Sequence, residues 1–401
     1  MLDEKRIIGM HLAPYLRNVD VQWDGVNTTD LPMMDFDAAD REQYSLRPGD
    51  LLVCEGGEVG RTAIWRGDID ECFFQKAIHR LRPTTNHDDS RFFRYFMRMA
   101  VADGLFTQST ASTIQHLPAE KLRVVRYPSP PLRVQIAIAD YLDRETARLD
   151  ALVAAKERML RLLVRKRDAF IGRVVTKGVD PQVPLKDSGV PWIGSIPSHW
   201  AIGRVKHYFR TCSGGTPSTA MMDVYYTDAS DGIPWVRTTD LQNDMLGDVE
   251  VRITQRALED TACAVLPKGT VMVAMYGGDG TVGKNGMLRI DAAINQAVCG
   301  LLPSQTHIPE YVFRYIQFYR PHWMISAESS RKDANISQEL VRNAPMPLPP
   351  LREQEEIVGA LRSFLSRHDA VRAATERSIV LIKERRAALI STAVTGALKI
   401  A

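Results

Sequence analysis

The chain has 401 residues, enough for two or three domains that each bury a hydrophobic core. Hydrophobic residues make up 45% and charged residues 25%, as in an ordinary globular protein, and no apolar run is long enough to span a membrane. The net charge of +3 is too small to indicate or exclude a nucleic-acid partner.

The compartment can be inferred from the N-terminus and the cysteines. Residues 1–6 lack the apolar core of a secretion signal. Five cysteines are scattered without a C-x-x-C pair, which argues against a disulfide scaffold and a structural zinc site. We therefore expect a cytoplasmic protein that makes no membrane contact and holds no metal ion.

The second half of the sequence repeats the first at a spacing of about 220 residues. Residues 130–135 (PPLRVQ) match residues 349–354 (PPLREQ). Three upstream blocks match in the same order: residues 14–17 with 234–237, 49–53 with 269–273, and 75–78 with 295–298. The chain is an internal duplication.

Residues 1–129 and 179–348 form the mixed part of each copy. Short apolar runs such as 51–53 and 271–273 lie between Gly, Pro, Asn and Asp turns, which predicts strands of a curved sheet. Aromatic residues recur at helical spacing over 92–102 and 311–319, which predicts a helix in each part. We expect an α+β fold with two tandem mixed domains.

Residues 130–178 and 349–401 are predicted to be long helices of about 44 residues, or roughly 65 Å. Apolar residues at steps of three, four and seven indicate a coiled-coil seam. The seam residues are Leu142, Leu149, Leu152, Leu163 and Phe170 in the first helix and Leu361, Val371, Ile382 and Leu389 in the second. The two helices are expected to pair as an antiparallel coiled coil; alternatively, each packs only on its own domain.

This order of parts resembles the specificity subunits of Type I restriction–modification systems. The resemblance covers nearly the whole chain and rests on the doubled P-P-L-R-x-Q helix starts, the V-T-K-G and V-T-G helix ends at 175–178 and 394–396, and the entry segment 191–200. It implies that residues 1–129 and 179–348 are target recognition domains, each of which reads one half of a split site in double-stranded DNA.

The resemblance also implies partners. The helices 130–178 and 349–401 would space the two domains apart and dock two methyltransferase subunits, and restriction subunits would join the full complex. The chain itself would carry no catalytic site and no cofactor, because S-adenosylmethionine, ATP and Mg²⁺ would be held by the partner subunits.

The first copy departs from the family's pattern at its start. The second copy opens with a long lead-in that includes residues 191–200 and the sequence SGGTP at 213–217. The first copy has no counterpart of this lead-in. We therefore expect its recognition domain to be shortened at the N-terminus.

Two motifs could instead indicate a self-contained enzyme. Residues 278–285 (GDGTVGKN), with Gly278 and Lys284, approach a phosphate-binding loop. Asn285 replaces the magnesium-binding hydroxyl, and a strand rather than a helix is predicted to follow. Residues 129–132 (SPPL) resemble an amino-methyltransferase motif but lack the aromatic residue that stacks on a flipped base. A nucleotide-dependent or DNA-modifying enzyme remains the alternative.

Side chains that could contact DNA fall at matched places in the two copies. They are Gln75, Lys76 and Arg80 with Asn295 and Gln296, then Ser112, Thr113 and Gln115 with Arg331, Lys332, Asn335 and Ser337, and finally Arg61 with Lys284. For the polar turns, ordinary capping is the alternative. Arg17 and Arg237 also occupy one place in each copy, where they would hold either a phosphate or a structural carboxylate.

Overall fold

The computed structural model describes residues 9, 11–23, 25–84, 87–106, 116–277, 280–328 and 335–400. Contacts divide the chain into two compact units: unit 1 comprises residues 1–158 and 374–401, and unit 2 comprises residues 159–373. Each unit therefore contains one mixed domain and parts of both long helices. Within the described ranges, none of the helices is both long enough and apolar enough to cross a membrane.

The described residues of unit 1 form eight short strands and three α-helices before the first long helix. In chain order they are β1 (Leu12–Leu16), β2 (Val21–Gln22), β3 (Gly25–Val26), β4 (Met33–Asp35), α1 (Ala38–Tyr44), β5 (Leu51–Cys54), β6 (Thr62–Ile64), β7 (Phe73–Phe74), β8 (Ile78–Leu81), α2 (Ser90–Ala102) and α3 (Ala119–Arg123). The first long helix is α4 (Leu132–Lys177).

Two three-stranded sheets form the centre of unit 1. In one, β1 pairs antiparallel with β4 and parallel with β7; in the other, β5 lies between β6 and β8. All four residues of β5 are buried, which explains why this strand is a continuous apolar run. Asp89 caps the start of helix α2, because its side chain accepts the N–H groups of Arg91 and Phe92.

The described residues of unit 2 form more strands than those of unit 1. Its elements are β9 (Leu185–Asp187), β10 (Ser195–Pro197), β11 (Ala201–Arg204), α5 (Val205–Tyr208), β12 (Thr211–Ser213), α6 (Met222–Tyr225), β13 (Tyr226–Thr227), β14 (Ile233–Val236), β15 (Asp244–Leu246), β16 (Arg252–Ile253), α7 (Gln255–Asp260), β17 (Val265–Leu266), β18 (Val271–Ala274), β19 (Asn285–Leu288), β20 (Ala292–Ile294), β21 (Val298–Leu301), α8 (Pro309–Glu328), α9 (Gln338–Arg342) and β22 (Pro345–Leu348). The second long helix, α10 (Leu351–Val394), follows β22.

The sheets of unit 2 repeat those of unit 1 and extend them. The parallel pair β14–β20 corresponds to β1–β7, and the antiparallel set β19–β18–β21 corresponds to β6–β5–β8. The second of these sheets gains β12 on one edge and β15 on the other. Helices α2 and α8 lie at matched positions and confirm the helices predicted from the aromatic spacing.

A buried glutamine fixes the start of each long helix. The side chain of Gln135 accepts the N–H of Asp89 and donates to the carbonyl oxygens of His87 and Pro130, at 2.9–3.0 Å. Gln354 makes the same three bonds, to Ile308, Thr306 and Pro349. Neither glutamine is exposed to solvent. The glutamine of the repeated P-P-L-R-x-Q motif therefore joins each helix to the loop that precedes α2 or α8.

The long helices pair antiparallel, as predicted. In unit 2 the rings of Phe170 and Phe364 stack at 4.0 Å, and His368 Nε2 lies 3.0 Å from the carbonyl oxygen of Leu163. In unit 1 the early residue Ile138 of α4 shares a core with the late residue Ile390 of α10. Later residues of α4 contact earlier residues of α10, as expected for an antiparallel pair.

Two predicted seam residues lie outside the seam. Leu152 is 44% exposed and Val371 is 42% exposed, whereas Leu142 and Leu361 are completely buried. The positions that point inward nearby are Val153, which is half-buried, and Thr375, which is 6% exposed. Near Val371 the seam continues through the polar Thr375, which a search for apolar residues passes over. Near Leu152 the inward position is the adjacent apolar residue, Val153. Those two assignments were therefore wrong.

We predict that Leu361→Ala destabilises unit 2 by roughly 2–5 kcal/mol, because it leaves a cavity in a fully buried site. Val371→Ala on the same helix should change the free energy of unfolding by less than about 0.5 kcal/mol. Denaturant unfolding of the full chain measures both values. Equal losses for the two variants would mean that Val371 belongs to the seam after all.

Candidate nucleic-acid interface

Three chain segments meet at one end of unit 1. The N–H of Gln75 donates to the carbonyl oxygen of Leu16 at 3.0 Å, and the N–H of Glu55 donates to that of Ala77 at 2.9 Å. The N–H of Leu117, which follows the predicted polar turn, donates to the carbonyl oxygen of Glu55 at 2.8 Å. We call this end, formed by the carboxyl ends of β1, β5 and β7 and the turns after them, the rim of unit 1.

Unit 2 has the same frame. The N–H of Asn295 donates to the carbonyl oxygen of Val236 at 3.0 Å, and the N–H of Met275 donates to that of Ala297 at 2.8 Å. The N–H of Ile336 donates to the carbonyl oxygen of Met275 at 2.8 Å. The rim of unit 2 is therefore formed by the carboxyl ends of β14, β18 and β20 and the turns after them, with identical connections.

Arg17 and Arg237 each bind a carboxylate at their rim. The guanidinium of Arg17 donates two hydrogen bonds of 2.9 Å to Asp20, and that of Arg237 donates bonds of 3.3 and 3.1 Å to Asp240. The hydrogen bond to the aspartate is the main cause that raises the pKa of each arginine. Of the two alternatives, the structural carboxylate is present; the side chains of Arg17 and Arg237 are still 41% and 35% exposed.

Arg61 in unit 1 and Lys284 in unit 2 each connect a second turn to the rim. Arg61 donates to the carbonyl oxygen of Asn18 at 2.8 Å, and its side chain is only 14% exposed. Lys284 Nζ donates to Gln242 Oε1 at 2.9 Å. Because Asn18 directly follows Arg17, and Gln242 lies just beyond Asp240, each rim brings together two of the predicted cations.

The Gln75 and Asn295 turns also lie at the rims, but their surroundings differ. Lys76 is exposed. The side chain of Gln296 is hydrogen-bonded to Thr216 Oγ1, and the carbonyl oxygen of Asn295 accepts the N–H of Gly214 at 3.3 Å. The lead-in of the second copy therefore contacts this turn in unit 2, although Gln296 itself stays exposed.

Arg80 does not join the rim. It lies on β8, where Nη1 donates to the carbonyl oxygen of Ser45 at 2.6 Å and the guanidinium sits 5.6 Å from the centre of the Phe74 ring. Burial is the main cause that lowers its pKa.

The predicted polar turns before the long helices are only partly described. Asn335 is exposed beside Ile336, and Ser337 caps α9 by accepting the N–H of Leu340 at 3.1 Å. For Ser337, the capping alternative is therefore present. Ser112, Thr113, Gln115, Arg331 and Lys332 lie outside the described residues.

The loop that approaches a phosphate-binding motif is followed by a strand. Its first two residues, 278–279, lie outside the described part, and β19 begins at Asn285. Asn285 is buried, and its Nδ2 donates to the carbonyl oxygen of Phe313 at 2.8 Å. In the described part of this loop no helix N-terminus is positioned to bind a phosphate, so the geometry does not support the alternative of nucleotide binding.

Sequence reasoning missed the residue that holds this loop. Arg320 on α8 donates to the carbonyl oxygens of Gly280 and Val282 at 2.8 and 3.1 Å. The loop that carries Lys284 is therefore anchored to the helix at both of these points. Nothing in the sequence signals the contact, because 38 and 40 residues separate the partners.

Two of the cysteines, Cys72 and Cys299, are buried in the cores of the units. Burial raises the pKa of the Cys72 and Cys299 thiols to about 12, so both stay protonated and unreactive at neutral pH. Among the described residues, no group of three or more His, Cys, Asp or Glu side chains is arranged to hold a metal ion. The rims thus offer hydrogen-bond donors and cations, which suit phosphate and base edges.

Comparison with known sequences gives one family. The sequence model described as "Type I restriction modification DNA specificity domain" matches residues 19–159 and 197–379. The Type I restriction enzyme EcoBI specificity subunit of Escherichia coli is 24% identical over 380 residues, which cover 89% of this chain and 75% of that protein. The putative type I restriction enzyme MjaX specificity subunit of Methanocaldococcus jannaschii is 21% identical and covers 82% and 75%.

Solved structures share the fold. A chain from a study of complex assembly and conformational transition in the type I R-M system superposes with a TM-score of 0.77 at 15% identity, covering 96% of this chain and 92% of that one. The HsdS subunit of Thermoanaerobacter tengcongensis gives a TM-score of 0.60, also at 15% identity, and covers 96% and 91%.

Proposed function

The chain belongs to the family of Type I restriction–modification DNA specificity domains, and we propose that it is the DNA-binding specificity subunit of such a system. Each mixed domain reads one half of a split site with the loops of its rim. One observation carries the proposal: three separated segments that sequence reasoning assigned to DNA contact meet at one rim in each unit, and the backbone bonds between the strand ends are the same in both. They carry Arg17, Arg61 and Gln75 in unit 1 and Arg237, Lys284 and Asn295 in unit 2.

Positioning and reading fall to different residues. Arg17, Arg61, Arg237 and Lys284 are held by neighbouring acceptors in fixed geometry, which suits contacts to phosphates that set the register on the duplex. Amides such as Gln75 and Asn335 can both donate and accept, which suits contacts to base edges.

The paired helices hold the two readers and dock the partners. Two methyltransferase subunits bind along α4 and α10, and restriction subunits join the full complex. S-adenosylmethionine, ATP and Mg²⁺ are held by those partners, and the subunit itself is non-catalytic. The buried thiols and the strand that follows Lys284 are consistent with a binding role. The complex works in the cytoplasm, where the host DNA lies.

The proposal is tested by a methylation map. We expect cells that co-express this chain with a methyltransferase subunit of the same system to carry methylated adenines in a split motif, two short blocks around a fixed gap. Sequencing of the modified DNA measures this. A map in which only one block is defined would mean that unit 1 does not read DNA, and an absence of methylation despite a soluble complex would contradict the assignment.

Helix length should set the gap between the blocks. Seven residues inserted into both helices, between Arg158 and Met159 and between Ala373 and Ala374, lengthen the pair by about 10 Å, or about three base pairs. We expect the methylated motif to keep its two blocks and gain a gap about three base pairs longer. A four-residue insertion at the same places serves as the control, because it interrupts the seven-residue repeat of the seam. An unchanged gap in the seven-residue variant would exclude the helices as spacers.

Lys284→Gln is expected to weaken binding to every duplex by a similar factor. Because one phosphate contact is lost, the slope of log affinity against log salt should fall by about one. The control is Lys268→Gln, which removes a lysine at the opposite end of β18. The backbone N–H of Lys268 donates to Asp291, and the substitution should change neither the affinity nor the salt slope. Fluorescence anisotropy over a salt series measures them; identical behaviour of the two variants would remove Lys284 from the interface.

A further inference from the structure

One continuous segment of unit 2, residues 200–213, covers a sheet edge that has no pairing strand in the described part of unit 1. It contains β11, which pairs with β22, and β12, which pairs antiparallel with β21. Between these strands, the rings of Tyr208 and Phe209 lie 5.3 and 5.1 Å from the ring of His307. Gln338 on α9 donates to Thr211 Oγ1 at 3.2 Å. The segment thus seals both the sheet edge and the face of α9.

Every element that this segment contacts has a counterpart in unit 1. By the repeat, β8 corresponds to β21, α3 to α9, and residues 126–129 to β22. Among the described residues β8 pairs only with β5, and residues 126–129 form no strand. Two cavities of about 710 and 290 Å³ lie here, bounded in part by Phe74, Ile78, Leu122 and Tyr127. We call this place the β8 groove.

The β8 groove has the apolar character of a covered surface. In unit 2 the corresponding residues Val341, Ala344 and Met346 are completely or almost completely buried. In unit 1, Val125 and Tyr127 stay half-buried, and the neighbouring Val124 is 76% exposed. An exposed strand edge beside an apolar groove is a common binding site for an additional β-strand.

We propose that the β8 groove binds a strand of a second polypeptide. That strand runs antiparallel to β8, as β12 does to β21, places two adjacent aromatic side chains in the cavity bounded by Tyr127, and carries an acidic residue opposite Arg80. The proposal does not depend on DNA binding, and it reassigns Arg80 from the predicted DNA contacts to a protein contact.

The acidic residue follows from the charges around β8. In unit 2 the residue opposite Gly300 is Cys212, a neutral pair, and Arg80 replaces that glycine in unit 1. Arg80 lies near the cations Arg47 and Arg82, and the one carboxylate among them, Asp50, already accepts two hydrogen bonds of 2.6 Å from Arg82. A carboxylate at the position of Cys212 would compensate this positive charge across the strand pair. The occupant therefore differs from the segment that unit 2 uses.

The experiment uses the full chain and a labelled synthetic peptide with the sequence of residues 199–214 in which Cys212→Glu is introduced. The matched control is the same peptide with Tyr208→Ser and Phe209→Ser. We expect saturable one-to-one binding by fluorescence anisotropy, at least about tenfold weaker for the serine peptide because the buried aromatic area is lost. Hydrogen exchange should slow at the amides of β8 and not at those of β21, whose edge is already paired.

A variant of the protein tests the charge. Arg80→Gln should weaken binding of the peptide that carries Cys212→Glu at least about fivefold. It should leave binding of the peptide with the unaltered Cys212 unchanged, which also shows that the variant is folded. Equal binding of the aromatic and serine peptides, or protection away from β8, overturns the proposal.

A fusion decides whether the occupant is separate. A copy of residues 197–220 that carries Cys212→Glu, placed directly ahead of residue 1, keeps the register of the repeat, because residue 1 corresponds to residue 221. Linkage raises the effective concentration to about the millimolar range. If only the fused copy protects β8, the occupant is a covalently linked segment and a separate partner is excluded. If neither form protects β8, the groove is not a binding site.

Discussion

The buried glutamine at the start of each long helix is the contact on which the architecture depends. Gln135 and Gln354 are completely buried, and each bonds one N–H and two carbonyl groups of the chain around it. A buried polar group without such partners would cost about 1–3 kcal/mol. Because all three bonds run to the loops on either side, the glutamine sets the angle at which the helix leaves its domain. A leucine of similar size would pack there but could not satisfy these groups.

The sequence repeat was enough to predict that each copy holds strands, a helix rich in aromatic residues and then a long helix, and the reason is physical. Repeated positions such as Gln135 and Gln354, or Arg17 and Arg237, are held by identical local bonds, so the same residues produce the same geometry twice. The course of the seam could not be predicted in the same way. Thr375 and His368 are buried in it while Val371 is exposed, because a helix pair selects positions by direction and not by polarity.

The candidate site could be predicted to the level of segments but not of atoms. Each predicted cluster with a described member has at least one residue at its rim. The reason is that the clusters follow strands that occupy the same places in both copies, so the strands end at the same edge. Arg80 does not lie with its cluster, because it follows the turn by several residues on β8 and its guanidinium bonds to Ser45. The Arg320 contact could not be predicted for a different reason. Its acceptors are backbone carbonyl oxygens, which every residue has, so the sequence does not distinguish them.

The edge that distinguishes the two units also lies beside the rim. In unit 2 the strand β12 leads directly to Gly214 and Thr216, which bond to Asn295 and Gln296 at the rim. Gly214 approaches β20 so closely that any larger side chain would collide with the carbonyl oxygen of Ile294. The equivalent turn of unit 1, Gln75 and Lys76, immediately precedes β8. A strand bound along β8 would therefore end against this turn and fix the side chains of the first rim, as the lead-in already does for the second.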